Sequence, residues 1–228
     1  MLAVIPARGG SKGFKLKNLR KICGVPIVRL AAEVATKVKY IDRIVVSTDH
    51  EEIGTEAVKA GAEFPFLRPK NLSGDRVSDL SVLTHALESM EERDGTCYDV
   101  IVMLQPTSPL REPRHVEAAI EKLVKEDLDA VWTVSETDSK AHPLKQLTIE
   151  NGQLNYFSEE GKDIVARQQL TPVFHRNGIA YAISRACLLT KKSIKGDKTG
   201  ALIIEGEHVS IDTEWDFQLA EFILTHRR

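Results

Sequence analysis

The stretch "LAVIPARGGSKGFKLKN", residues 2–18, runs an apolar segment straight into a loop that holds three glycines and four cations between positions 5 and 18. Residues 2–6 have the length and composition of a buried strand. A loop so dense in Gly, Lys and Arg adds little to a core. Glycines lack a Cβ, so the backbone N–H groups around Gly9 and Gly10 can approach the oxygens of a polyanion, with Arg8, Lys12 and Lys17 as countercharges. The ends of parallel strands are where ligands bind in α/β sheets, and this loop follows the first strand. A flexible solvated turn is the competing reading. The glycine spacing matches neither G-x-G-x-x-G opening a helix nor G-x-x-x-x-G-K-[ST], which argues against a dinucleotide fold of the dehydrogenase type and against a Walker A loop.

Outward from that stretch, apolar runs alternate with amphipathic ones. In "PIVRLAAEVATKV" (26–38), Ile27, Leu30, Ala31, Val34 and Val38 share one face of a 3.6-residue period. Further strands are expected at 43–49, 62–66, 99–105 and 130–135, with helices near 50–60, 79–93 and 113–126. Continuous apolar strands separated by helices predict a mainly parallel α/β sheet covered on both faces. The rhythm breaks at "LKQLTIENGQLNYF" (144–157), where Asn151-Gly152 between alternating segments predicts a tight hairpin. A hairpin projecting from a parallel sheet offers an edge and apolar side chains to another subunit. Residues 178–184 and 201–205 read as strands and 213–224 as a closing helix. The whole chain, 1–228, is expected to be one domain, with about 140–170 as an extension.

Composition narrows the function. The chain has 228 residues and a formal net charge of -2, so no global basic surface points to nucleic acid. Its three cysteines are odd in number and lack C-x-x-C spacing, which speaks against a disulfide framework and a zinc site and for reducing cytoplasm. Met1 leads directly into the first strand and nowhere do eighteen apolar residues run together, so neither export nor a membrane partner is expected.

Four more polar loops fall near expected strand ends. In "LRPKNLSGDRVSDLS" (67–81), Arg68 can present a planar fork to a base carbonyl or phosphate, while Ser78 and Asp79 read equally as a helix cap and a dipole partner. In "LQPTSPLR" (104–111), two prolines stiffen a loop that can aim Gln105, Thr107 and Ser108 at a ligand, or Ser108 caps the next helix. "ARQQLTPVFHRNGIAYAIS" (166–184) gathers Arg167, Gln168, Gln169, His175, Arg176 and Asn177, groups suited to a polyhydroxylated or carboxylated substrate, with His175 read as structural. In "SIDTEWD" (210–216), Asp212 or Thr213 caps the last helix, or Asp212 offers oxygen to Mg2+.

Taken in order, "IPARGGSKGFKLKN", "VVSTD", "LRPKNLSGD", "LQPTSPLR", "RQQLTPVFHRNGIAY" and "IDTEWDF" resemble the CMP-sialic acid synthetases, or acylneuraminate cytidylyltransferases, over essentially the whole chain. The related Kdo cytidylyltransferases share the fold and reaction, but "ARGGSKG" and "RQQL…RNG" resemble the sialic-acid branch more closely. The resemblance implies a Rossmann-like nucleotidyltransferase sheet, a projecting dimerisation hairpin and a homodimer. It implies transfer of CMP from CTP to the anomeric hydroxyl of a nine-carbon α-keto acid sugar, sialic acid or a legionaminic or pseudaminic relative, with release of pyrophosphate. By the same likeness Arg8, Ser11 and Lys17, with Gly9 and Gly10, hold the triphosphate, and Asn18 and Arg68 place the nucleoside. Gln105, Gln168, Asn177 and Tyr181 line the sugar pocket, Lys145 and Arg167 reach the sugar carboxylate from a second subunit, and Asp212 binds Mg2+. Arg8, Lys17 and Asp212 are the catalytic candidates.

One departure stands out. Many family members read acid-x-acid before the closing helix, where this chain has Ser210-Ile211-Asp212 and therefore one carboxylate. A non-catalytic protein on the same fold that binds nucleotide sugars is the rival this departure supports.

Overall fold

In the computed structural model, which describes residues 1–10 and 15–226, the chain opens with β1 (Leu2–Pro6) and a single 3-10 turn at Lys17–Leu19. There follow a two-residue-per-strand ribbon, β2 (Lys21–Ile22) and β3 (Val25–Pro26), then α1 (Ile27–Ala35), β4 (Arg43–Ser47) and α2 (Glu51–Val58). The middle of the chain supplies α3 (Asp79–Asp94), β5 (Val100–Met103), α4 (Pro113–Lys125) and β6 (Ala130–Glu136). A hairpin of β7 (Leu147–Glu150) and β8 (Gln153–Tyr156) precedes β9 (Phe174–Ser184), α5 (Arg185–Leu189), β10 (Thr199–Ile203) and α6 (Glu214–His226).

Six strands form one sheet in the order β10-β6-β9-β5-β1-β4. β1 pairs in parallel with β4 and β5, and β10 with β6, while β9 runs antiparallel between β5 and β6. The expected mainly parallel sheet is therefore present, with one reversed strand. Its two faces bury separate cores. Ala3, Ile5, Val46 and Val102 point toward α1, α2 and α4, where Ala31, Ile53, Ala57, Val116 and Ile120 meet them. Leu2, Val4, Ile101 and Met103 point the other way, onto Leu83, Leu87 and Met90 of α3 and Leu188 of α5. Each such side chain removed from water contributes on the order of 1.5–3 kcal/mol, which explains why strands covered on both sides read as unbroken apolar runs.

One expected strand is absent. Residues 62–66 lie along the edge of β4, where Glu63 N–H donates to Ile44 O at 2.7 Å and Val46 N–H to Glu63 O at 2.9 Å, but the pairing stops at a single bridge. Pro65 supplies no donor, so a ladder cannot continue through it.

The 144–157 hairpin is confirmed. Asn151 and Gly152 both hold positive φ, 52° and 78°, the pair of values a type I′ turn requires. It belongs to an excursion, residues 137–173, that leaves the sheet after β6 and returns at β9, with Glu136 paired to Phe174 at its neck. Because β9 is reversed, the excursion lies at the same sheet edge as the loops after β1, β4 and β5. No helix among the described residues is long and apolar enough to cross a membrane.

Candidate active site

The loops at that edge enclose a cleft of about 410 Å³. Its first wall is the opening loop. Ala7 N–H extends the β1 pairing by donating to Ser47 O at 2.9 Å, and Gly9 N–H donates to Asp49 Oδ1 at 2.8 Å. Asn18, buried in the 3-10 turn, donates from Nδ2 to Arg8 O at 2.9 Å and so fastens the two ends of the loop together. The loop packs closely at Gly9, where an added Cβ would lie 3.0 Å from that of His50. Gly10 is exposed. Ser11, Lys12 and Gly13 lie outside the described residues.

The last helix meets this loop from the far end of the sequence. Arg20 makes two 2.7 Å hydrogen bonds to Glu214 and sits 4.6 Å over the Phe217 ring, and Cys23 N–H donates to Glu221 Oε1 at 2.7 Å. That docking brings Lys17 Nζ within 2.8 Å of Ile211 O and 3.1 Å of Asp212 Oδ1. The capping question resolves on neighbours of Asp212. Thr213 Oγ1 accepts from Asp216 N–H at 3.3 Å, while Asp216 Oδ2 accepts the N–H groups of Asp212 and Thr213 at 2.8 and 2.6 Å. This is a reciprocal cap. The Asp212 carboxylate takes no part in it and lies at the cleft rim, its side chain 76% exposed.

The 67–81 loop forms the second wall. Arg68 is buried, its N–H donates to Thr48 O at 2.7 Å and its Nε to Ser73 Oγ at 3.3 Å. Burial lowers its pKa, a shift that the nearby Asp49 partly offsets. Ser78 caps α3 by accepting from Ser81 N–H at 3.2 Å, as its capping reading requires, whereas Asp79 lines the cleft. Burial raises the Asp79 pKa against the pull of Arg176 and Arg68. Across the mouth, Arg8 Nη1 pairs with Asp75 Oδ1 at 2.7 Å.

The floor is the loop after β5, with Gln105, Pro106 and Thr107 facing the cleft beside Ser210. Ser108 does not cap α4, because the cap position belongs to Glu112. Instead its buried hydroxyl donates to Asn177 O at 2.8 Å. Asn177 is itself buried within a bulge of β9: its Oδ1 accepts from the Thr133 hydroxyl at 2.7 Å and from Ile179 N–H at 3.1 Å, and its Nδ2 donates to Ser135 Oγ at 3.1 Å. Tyr181 is buried against Trp132, edge to face at 5.5 Å.

Six residues to which the resemblance gives a role thus share one cleft, Arg8, Lys17, Asn18, Arg68, Gln105 and Asp212, with Thr107 beside them. Asn177 and Tyr181 lie behind its floor within the sheet. Lys145, Arg167 and Gln168 are exposed on the excursion, and Arg167 lines a separate depression with Glu136, His142 and Thr171. Sequence reasoning missed Asp49 and Asp75, acids facing the opening loop, and Arg111, which is buried under the floor. The position of Asp49 at the end of "VVSTD", just past a buried strand, was a usable signal for the first of them. No cluster of three or more His, Cys, Asp or Glu suited to a metal occurs among the described residues.

Such a cleft, with Arg8, Lys17 and Arg68 set among the carboxylates of Asp75, Asp79 and Asp212 and polar groups on the floor, suits a phosphate ester. The family described as "Cytidylyltransferase" matches residues 2–222. The chain is 34% identical over 227 residues to the CMP-N,N'-diacetyllegionaminic acid synthase of Campylobacter jejuni, across 99% of this chain and 95% of that one. It is 30% identical over 227 residues to the N-acylneuraminate cytidylyltransferase of Escherichia coli, across 96% of this chain and 51% of that one. A solved structure of CMP:2-keto-3-deoxy-manno-octonic acid synthetase complexed with CTP shares the fold, with a TM-score of 0.72 at 19% identity over 100% of this chain and 99% of that chain. The chain is a nucleotidyltransferase and belongs to the cytidylyltransferase family, among the CMP-sialic acid synthetases.

Proposed function

We propose that this enzyme transfers CMP from CTP to the anomeric hydroxyl of a nine-carbon α-keto acid sugar of the sialic or legionaminic type and releases pyrophosphate. The observation that carries the reading is the meeting of Arg8 and Lys17, from the loop after the first strand, with Asp212, from the start of the last helix, at one cleft. The names of the relatives above support the nucleotide and the sugar class. The likeness to the octonic acid synthetase is one of fold, so the eight-carbon acceptor is the weaker reading.

In the reaction the anomeric oxygen attacks the α-phosphorus in line, its P–O bond forms as the α–β anhydride bond breaks, one proton is released and pyrophosphate leaves. Such transfers rest on positioning and charge neutralisation more than on covalent help. Arg8 and Lys17 neutralise the departing phosphates, Arg68 and Asn18 seat the nucleoside, and Gln105 faces the acceptor. Asp212 suits Mg2+ because its carboxylate is free of the helix cap, with the Ser210 hydroxyl on the same cleft; a hard cation often binds through one or two carboxylates plus substrate phosphates. When bound there, the ion supplies charge neutralisation at the phosphates.

We extend the proposal to a homodimer. Leu147, Ile149, Leu154 and Tyr156 expose an apolar face of the hairpin, and a second copy packed there would bring its Lys145, Arg167 and Gln168 toward this chain's sugar site. The three free cysteines accord with work in a reducing cytoplasm.

The test is pyrophosphate release by the purified chain with Mg2+, each of the four nucleoside triphosphates, and a panel of nine-carbon and eight-carbon α-keto acid sugars. Turnover with CTP and a nine-carbon acid is expected. Binding without turnover would favour a non-catalytic protein, and comparable kcat/KM with a purine triphosphate would overturn the choice of nucleotide.

A further inference from the structure

Arg111 ends the loop after β5 and is buried, yet no carboxylate faces it among the described residues. Its Nε donates to Ile179 O, and its Nη2 donates to Gln105 O at 2.6 Å and to Gly178 O at 3.0 Å. Burying a cation without an acid is costly, and here it pushes the Arg111 pKa down to about 9, which still leaves the group charged at neutral pH. A guanidinium is the side chain whose rigid, multiple donors can serve three carbonyls from two segments at once.

Of those two segments, the floor loop faces the cleft and the β9 bulge lies behind it. On one side, the Gly178 bulge fits closely under the floor loop: its φ is 70°, and an added Cβ would lie 2.6 Å from Gln105 Oε1 and 2.5 Å from Ser108 Oγ. The Ser108 hydroxyl bond to Asn177 O closes the same junction. On the other side, Thr107 O accepts Ile211 N–H at 2.8 Å, and Ile211 O in turn accepts from Lys17 Nζ. The backbone of the floor loop from Gln105 to Thr107, and then two hydrogen bonds at Ile211, therefore join Gln105 to the Lys17 and Asp212 pair, with Arg111 fastened to Gln105 O at the near end.

We propose that Arg111 is a positioning residue that staples the floor loop to the β9 bulge, setting the acceptor side of the cleft in register with the phosphate side. The proposal rests on the reaction given above. Arg111 touches neither reactant; it acts through Gln105 and Thr107.

The test compares wild type, Arg111→Lys and Ser108→Ala, measuring kcat, the KM for the sugar acid and the Kd for CTP, with unfolding followed in parallel. Lysine keeps the charge but cannot span three carbonyls. Misplacing reactants by about 1 Å costs up to about a hundredfold. Arg111→Lys is accordingly expected to lower kcat about ten- to a hundredfold and to raise the sugar KM several-fold, with the CTP Kd within about twofold of wild type. Ser108→Ala should shift the same two quantities less, and it carries the test if the lysine variant does not fold. Wild-type kcat and sugar KM in the folded variants would overturn the proposal, as would a CTP Kd that rises in step with the sugar KM, the mark of general loosening. Wild-type enzyme without turnover would overturn the reaction and the staple's role in it together, so the two failures are separable.

Discussion

Lys17 Nζ lies 3.1 Å from Asp212 Oδ1 across 195 residues of sequence, because α6 docks on the ribbon that follows the opening loop. A cation and a carboxylate from opposite ends of the chain are thereby held as one unit at the cleft, while the cap of α6 is left to Thr213 and Asp216.

That separation of duties sets the first prediction. Asp212→Asn removes a charge from the cleft without touching the helix cap, so kcat should fall at least about a hundredfold, on the scale of losing one preorganised electrostatic group, while Tm barely moves. Thr213→Ala should behave in the opposite sense, costing about 1 kcal/mol of stability, as loss of an N-cap does. Steady-state kinetics beside thermal melts of both variants check this pair, and near-normal turnover in Asp212→Asn would remove Asp212 from the metal site.

Arg8 is held by Asp75 at 2.7 Å, so in the proposed reaction a triphosphate competes with that carboxylate for the guanidinium. Exposed ion pairs are weak. Asp75→Asn should therefore lower the KM for CTP about two- to fivefold, whereas Arg8→Ala should lower kcat by about 10²–10³. A weaker affinity for CTP in Asp75→Asn would instead mean that Asp75 serves the bound nucleotide.

The third prediction concerns assembly. Mixing inactive Arg167→Ala with inactive Lys17→Ala chains should restore part of the activity, since some mixed dimers then carry one intact composite site. Ile149→Asp, placed on the exposed hairpin face, should give monomers by light scattering and lose turnover. Full activity in a monomer would remove the shared site.

Stability should fall in acid through two carboxylates far from the cleft. Hydrogen bonds from Arg43 and Tyr98 hold Asp94 at about 2, and Lys191 with the N–H groups of Lys198 and Asp197 hold Asp129 at about 2. A carboxylate whose native pKa is depressed stabilises the fold fully above its ordinary value near 4 and loses that contribution as the pH falls toward 2. Tm should drop between about pH 4 and pH 2, and Asp94→Asn should lower Tm at neutral pH while flattening that decline. An unchanged acid slope in the variant would assign the loss to other groups.

Much of this architecture was legible in the chain, and the exceptions share a cause. The period of Ile27, Leu30 and Ala31 marked α1, Ser78 marked a helix start, and Asn151-Gly152 marked the hairpin, because each is a local signal within one turn of chain. The reversal of β9 was not legible, since an apolar run reports burial on both faces and is silent about direction. Asn177 read as a ligand group from its polar neighbourhood, yet its side chain is spent on Thr133, Ser135 and Ile179 inside a bulge. Arg111, at the end of a loop, was passed over for the same reason: its partners come from a strand far along the chain.

Glu136 and Phe174 face each other across neighbouring strands, so everything between them begins and ends at one pinned point. The entropic cost of closing such a loop rises by only about 0.6 kcal/mol for each doubling of its length. The intervening chain is thus an exchangeable cassette, able to lengthen, shorten or be replaced while the sheet keeps its register. The cleft loops, anchored in β1, β4 and α6, keep their places whatever its length.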